Sequence, residues 1–267
     1  MKGIRGTLAA GALLALAVAV DGVGAQEPFE WSGSIARGGT LEVKGISGSI
    51  RAELASGNAA EVTAVKKGDQ DDFEQVEVRV VKDGADVTIC AVYGDPDGGD
   101  GCEGGNARRG LFRRNRPIDV SVDFVVRLPA GTSLNAGLVS GDVSVSGVRS
   151  DVSASTVSGD VTISTTGLAR AHAVSGDLDV SMGAADWDEL DFNTVSGDIT
   201  LRLPAAADAD LEFNSVSGDL TSDFEMTLTG RLGRRWPGQA IRATIGDGGR
   251  PITLKTVSGD VRLLRAG

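Results

Sequence analysis

The chain has 267 residues, 38 of them Gly, with 7 Phe, 3 Trp, 1 Tyr and a single His. Its 26 Lys and Arg stand against 37 Asp and Glu, a formal net charge of −11, and 41% of the residues are hydrophobic. One His excludes His-rich metal sites and paired catalytic histidines. An acidic chain poor in aromatics lacks the basic surface that phosphate backbones need, which argues against nucleic acid as a partner, while the apolar content is enough for a packed core.

The first 25 residues read as an export signal. Lys2 and Arg5 precede a 14-residue apolar run from Thr7 to Val20, and the small residues Val23 and Ala25 stand at the −3 and −1 positions of a cleavage site. The run is shorter than the ~20 residues that span a bilayer. Cleavage after Ala25 would remove Lys2, Arg5 and Asp21 and leave 242 residues with a net charge of −12. No later segment is long and apolar enough to span. The expected setting is outside the cytoplasm: periplasmic, on the cell surface or secreted.

Residues 26–130 are read as an N-terminal β-rich region of irregular coils. Val76, Val78 and Val80 alternate with polar residues, as do Val87, Ile89 and Ala91. Cys90 and Cys102 are the only two cysteines, 12 positions apart. In an oxidising compartment such a pair predicts a disulfide, contributing about 2–3 kcal/mol by limiting the unfolded chain. Two Cys without His would ligate zinc poorly. The enclosed run from Asp95 to Gly101 looks like a calcium loop, but Gly99 and Asp100 occupy the fifth and sixth positions where an EF-hand needs Asp or Asn and then Gly. Next comes the one basic run, Arg108, Arg109, Arg113, Arg114 and Arg116. It is either a solvated loop or an anchor for an anionic envelope polymer or lipid headgroup. From Ile118 to Leu128 every second residue is apolar, predicting a strand that ends at Pro129-Ala130-Gly131.

Residues 131–267 carry a repeat. Val-Ser-Gly-Asp occurs six times, with glycines at 141, 159, 176, 197, 218 and 259, spaced 18, 17, 21, 21 and 41 residues apart. A related Ile46-Ser47-Gly48-Ser49 lies near the start. Apolar and polar residues alternate on both sides of each tetrapeptide, so each unit reads as strand, sharp turn, strand with one buried face. A single unit cannot bury that face. Stacking at the ~4.8 Å spacing of paired strands gives a continuous core, so the predicted fold is an all-β solenoid, or β-helix-like stack, of roughly 20-residue coils with Val-Ser-Gly-Asp corners. The long last gap, residues 223–249, contains two alternating stretches and is read as an inserted hairpin or a degenerate coil.

These repeats, together with Phe29-Glu30-Trp31 and Gly39-Thr40-Leu41-Glu42-Val43 at one end and Gly246-Asp247-Gly248-Gly249 and Thr256-Val257-Ser258-Gly259-Asp260-Val261 at the other, resemble the bacterial DUF4097 family of adhesin-like β-strand repeat proteins. The resemblance spans residues 26–267. It implies a β-solenoid and an envelope or extracellular setting, and some relatives are linked to envelope stress responses. It brings no catalytic residues.

The corner residues have a structural reading. Gly141, Gly159, Gly176, Gly197, Gly218 and Gly259 supply positive φ, and Asp142, Asp160, Asp177, Asp198, Asp219 and Asp260 bond backbone N–H groups of the turn. A column of carboxylates about 5 Å apart repels by only about 1 kcal/mol per pair in water, so it needs no cation. His172 falls at an outward strand position, and Ser175 with Asp177 is explained by the repeat without a catalytic triad. No catalytic, cofactor or metal residue is assigned. The expected function is a non-enzymatic binding scaffold or adhesin of the cell envelope with an unidentified envelope or extracellular ligand. The alternatives are an envelope-stress sensor that binds cationic peptides and a β-helix polysaccharide lyase or hydrolase, which would need paired acids and aromatic sugar platforms such as Trp187 or Trp236.

Overall fold

Alternation of apolar and polar side chains makes strands of nearly every segment in the computed structural model, which describes residues 27–94, 102, 112–113, 116–231 and 239–266. In chain order the first strands are β1 (Phe29–Gly33), β2 (Thr40–Lys44), β3 (Ile50–Leu54), β4 (Ala60–Gly68), β5 (Val76–Asp83) and β6 (Asp86–Tyr93), with a short 3-10 helix, Gln70–Gln75, between β4 and β5. Then come β7 (Phe112–Arg113), β8 (Arg116–Pro117) and β9 (Val120–Leu128). The repeats supply β10 (Ser133–Ser140), β11 (Val143–Val148), β12 (Val152–Ser158), β13 (Val161–Thr165), β14 (Ala169–Ser175), β15 (Leu178–Met182), β16 (Leu190–Asn193) and β17 (Ile199–Leu203). The C-terminal part holds β18 (Ala209–Ser217), β19 (Leu220–Ser222), β20 (Met226–Arg231), β21 (Gln239–Ile245), β22 (Pro251–Ser258) and β23 (Val261–Arg265).

Each repeat is one rung of a β-solenoid. Its first strand joins an 11-stranded sheet, its corner crosses the edge, and its second strand joins a facing 10-stranded sheet. Register is set by the buried columns, because a one-residue slip would turn every apolar side chain to water. Leu134, Val152 and Ala169 stand beside one another, as do Val143, Val161 and Leu178 across the interior. Residues of both sets are at most 2% exposed. The interior widens along the stack. Ala136, Ala154 and Ala171 form one column, which continues as Phe192, Leu254 and Phe213.

The order of that last column departs from the sequence. Stacking in chain order would put β18 beside β16. Instead the 11-stranded sheet runs β16, β22, β18, β21, β20, and the 10-stranded sheet runs β17, β23, β19. The rung that comes last in the chain is inserted between the two before it. All its pairings there are parallel, Leu190↔Ile252 on one side and Leu211↔Ile252 on the other. The excursion at 223–249 forms β20 and β21, which pair antiparallel with each other, and β21 pairs antiparallel with β18. This hairpin covers the far edge of one sheet and returns the chain to the slot.

The strands before Pro129 share both sheets with the repeats. β2 and β3 form a rung around Ile46-Ser47-Gly48-Ser49, pairing in parallel with β10 and β11. Beneath it β6 and β9 take the same parallel positions, Leu41↔Val87 and Ile50↔Phe124. They make a rung whose corner is replaced by the segment between Tyr93 and Val120. Cys90 in β6 is bonded to Cys102 in that segment, with Cα atoms 5.6 Å apart. Antiparallel β4, β1 and β5 finish this end of the sheets.

Candidate functional site

The six corners and that of Gly48 stand in one column. Their glycines take positive φ, from 126° at Gly141, 130° at Gly48 and 139° at Gly159 to 148° at Gly176 and Gly259, 154° at Gly197 and 158° at Gly218. A Cβ on any of the six repeat glycines would overlap the carbonyl oxygen of the corner glycine on the adjacent rung, and one on Gly48 would overlap the Val122 carbonyl oxygen, so both conformation and space require glycine. The aspartates carry a directional chain of hydrogen bonds. The Oδ1 of Asp142 accepts the backbone N–H of Asp160 at 2.9 Å, that of Asp160 accepts from Asp177 at 2.8 Å, and that of Asp177 from Asp198 at 2.8 Å. Asp198 then accepts from Asp260 at 2.8 Å and Asp260 from Asp219 at 2.9 Å, following the spatial order of the rungs rather than the chain order. Asp219 ends the series and accepts from Gln239 Nε2 at 3.0 Å. Behind the aspartates, the buried hydroxyls of Thr156, Thr194 and Thr256 donate to the carbonyls of Gly141, Gly176 and Gly197.

The residue just before each corner serine lies in the outward register. Thr156 points in, so Val157 points out, and the other units follow. Val139, Val157, Val174, Val195, Val257 and Val216 are each 46–49% exposed. At ~4.8 Å per rung they form an apolar row about 24 Å long, beside the corner aspartates, of which Asp198 is half-buried and the other five are exposed. Exposed apolar residues are ordinary when scattered singly, whereas here six stand in one line. Sequence reasoning missed this row, although the signal was present: alternation that buries Thr, Ala or Leu one position earlier exposes the Val.

Two further rows on the same outer face are polar. They are populated by Asn135, Ser153, Arg170, Asp191, Thr253 and Glu212, then by Ser155, His172, Asn193, Lys255 and Asn214. Asn193 Nδ2 lies 2.7 Å from His172 Nδ1 and donates to Asp191 Oδ1 at 2.7 Å, and Lys255 approaches Asp191 Oδ2 at 3.5 Å. The Asn214 amide, opposed by partial burial and helped by the Arg242 guanidinium, holds the Glu212 carboxyl below the usual range. These side chains satisfy one another along the sheet. His172 is tied to Asn193, and Asp177 uses its Oδ1 on the neighbouring backbone, so the Ser175, His172 and Asp177 set does not assemble as a triad.

Of the basic run, Arg113 and Arg116 are backbone register partners in the β7–β8 pair, while Arg108, Arg109 and Arg114 lie outside the described residues, as do the export signal, the Asp95–Gly101 loop and Trp236. Trp187 is 5% exposed and packs in the core with Arg250 over its ring at 5.9 Å, so it offers no platform for a sugar. Among the described residues no group of three or more His, Cys, Asp or Glu is placed to hold a metal, and no helix is long and apolar enough to cross a membrane.

The family described as Toastrack DUF4097 matches residues 34–264. Solved structures similar to the chain include a putative cell adhesion protein from Clostridium sporogenes, 9% identical, with a TM-score of 0.45 over 90% of this chain and 100% of that one. A putative adhesin from Bacteroides fragilis is 12% identical, with a TM-score of 0.36 over 90% and 98% of the two chains. A putative lipid binding protein from Parabacteroides distasonis is 11% identical, with a TM-score of 0.28 over 90% and 97%. No curated protein matches the chain.

Proposed function

Because the chain belongs to the Toastrack DUF4097 family, we propose that it is an exported, non-enzymatic binding scaffold of the cell envelope, acting in the periplasm, at the cell surface or outside the cell. The row of half-exposed valines along the corner column carries this reading. A rigid solenoid presents the same side chain at a fixed interval, which suits an extended ligand that repeats or lies along the stack. The disulfide between Cys90 and Cys102 supports an oxidising compartment. The corner aspartates and threonines, whose bonds go to neighbouring backbone, support a role for the repeat that is not catalytic.

The carboxylates beside the valine row favour one second reading, capture of cationic amphipathic peptides in an envelope-stress sensor. Apolar side chains of such a peptide would lie on the valines and its basic ones on the aspartates. The two readings separate by salt, because attraction between exposed charges is largely screened beyond about 8–10 Å at physiological ionic strength and over shorter distances as salt is added. The test is binding of the purified chain to arrayed envelope glycans, lipids and cationic peptides, repeated with Val157→Ser/Val174→Ser. Retention of the fold with at least a tenfold loss of ligand is the expected result. A ligand bound equally by parent and variant removes the valine row from function, and a peptide ligand indifferent to salt removes the sensor reading.

A further inference from the structure

At the N-terminal end, strands of both sheets and the 3-10 helix line a cavity of about 700 Å3. Its walls include Phe29 on β1, Phe73 on the 3-10 helix, Val76 and Val78 on β5, and Val92 on β6. Val76 is buried, whereas Phe29, Phe73, Val78 and Val92 are half-buried. The volume falls within the ~300–1,000 Å3 typical of small-molecule sites, which are mainly apolar with few placed polar groups.

The cavity's polar lining includes Gln70, Gln75 and Lys66, and the one that breaks the strand pattern is Lys66. On β4 the buried side chains are Ala60, Val62 and Ala64, every second residue, and Lys66 is the next position in that inward series. The alternation calls for an apolar residue and the chain puts an ammonium there. The other charged residues around the opening, Glu27, Lys67, Glu74 and Glu77, are exposed. Lys67 is engaged by Asp123 at 2.5 Å and Glu77 by Arg79 at 2.9 Å. Lys66 donates to the carbonyl oxygen of Phe73 at 2.9 Å and makes no ion pair within 4.0 Å among the described residues. Burial lowers its pKa, and the more distant Glu77 only partly offsets this. A cation in an apolar mouth gains most from an anion that brings its own apolar body.

The geometry points to a binding site for a long-chain fatty acid, its hydrocarbon chain in the cavity and its carboxylate on Lys66. This site is separate from the valine row and independent of the ligand proposed there. A competing role exists for the lysine: an inward charge on an unpaired strand edge blocks edge-to-edge association, and β1 covers β4 only from Ala60 to Ala64. The experiment separates the two. The purified chain is titrated at low ionic strength with a fluorescent polyene fatty acid and with the matching polyene alcohol. The acid binds saturably, one per chain, and more tightly than the alcohol. Lys66→Met weakens the acid about tenfold and leaves the alcohol unchanged, Lys66→Arg retains acid binding, and Val78→Trp, which fills the cavity, abolishes both. Thermal melts establish that each variant is folded. The proposal is overturned if the native chain does not bind the acid, if acid and alcohol bind it alike, or if a folded Lys66→Met binds the acid as tightly as the parent. Self-association of Lys66→Met with undiminished acid binding would assign the lysine to guarding the edge.

Discussion

The rungs from β10 to β17 and those from β18 to β23 use the same corner tetrapeptide, yet they are assembled differently. In the middle of the molecule each rung rests on the one before it in the chain, and the aspartate bonds between them span 17 to 21 residues. At the C-terminal end the bonds span 62 and 41 residues, because the last rung is slotted between its two predecessors. The corner therefore fixes how two rungs meet but not which two. What selects the partner lies elsewhere: the hairpin β20–β21, which takes the chain around the outer edge, and Leu254, which separates Phe192 from Phe213 in the interior column. Each middle rung rests on residues that precede it in the chain, whereas β19, whose one strand partner among the described residues is β23, needs the last ones.

The sharpest way to break this comparison is to disable the slotted rung. Leu254 is fully buried, and Leu254→Asp places an unpaired charge in the core at a cost of about 4 kcal/mol or more. Hydrogen exchange should then show residues 209–222 unprotected while residues 134–182 keep native protection, since repeat stacks lose stability locally. Equal loss over both segments would mean one cooperative unit, and the distinction between the two regions would disappear. A smaller effect tests the middle region alone. Gly176→Ala would drive a Cβ into the Gly159 carbonyl at a φ of 148°, and about 3 kcal/mol of destabilisation is expected. Gly147→Ala, at a φ of 63° with open space around the Cβ, should cost only about 1 kcal/mol of backbone strain. Thermal melts that rank the two variants the other way would remove the corner glycines from their structural role.

What could be read from the residues follows the same division. The corners, the two-strand units, the solenoid and the cysteine pair are local or periodic, and alternation around Ser-Gly-Asp states them directly. The slotting of β22 and β23 is a choice among near-equivalent neighbours, decided by the fit of Leu254 between two phenylalanines and by the path of a hairpin. No single unit encodes either. The rung formed by β6 and β9 was hidden for a similar reason: its corner is replaced by the disulfide-bearing segment, so the motif that flags the others is missing. The valine row was legible and overlooked, because repeated Val next to a turn reads as core until the phase of the alternation is followed through Thr156 and Val157. Lys66 was legible only with the strand bounds in hand, since an inward lysine is recognised against Ala60, Val62 and Ala64.

The smallest expected effect compares two members of the carboxylate chain. Asp177 lies in the middle region, and its Oδ1 holds the backbone N–H of Asp198 at 2.8 Å, so Asp177→Ala leaves a corner N–H without its acceptor. A charge-assisted bond to a partly hydrated N–H contributes about 1 kcal/mol net. Asp219 is the terminal member, and among the described residues its Oδ1 accepts from the exposed side-chain amide of Gln239, which water can replace. Asp219→Ala should therefore cost about 0.3 kcal/mol, within the range of ordinary surface substitutions. Melting temperatures of the two variants measured side by side would test whether the chain of bonds has a direction. A larger loss at Asp219 would show that the hairpin, held to the last corner through Gln239, depends on that carboxylate more than any rung depends on the one beneath it.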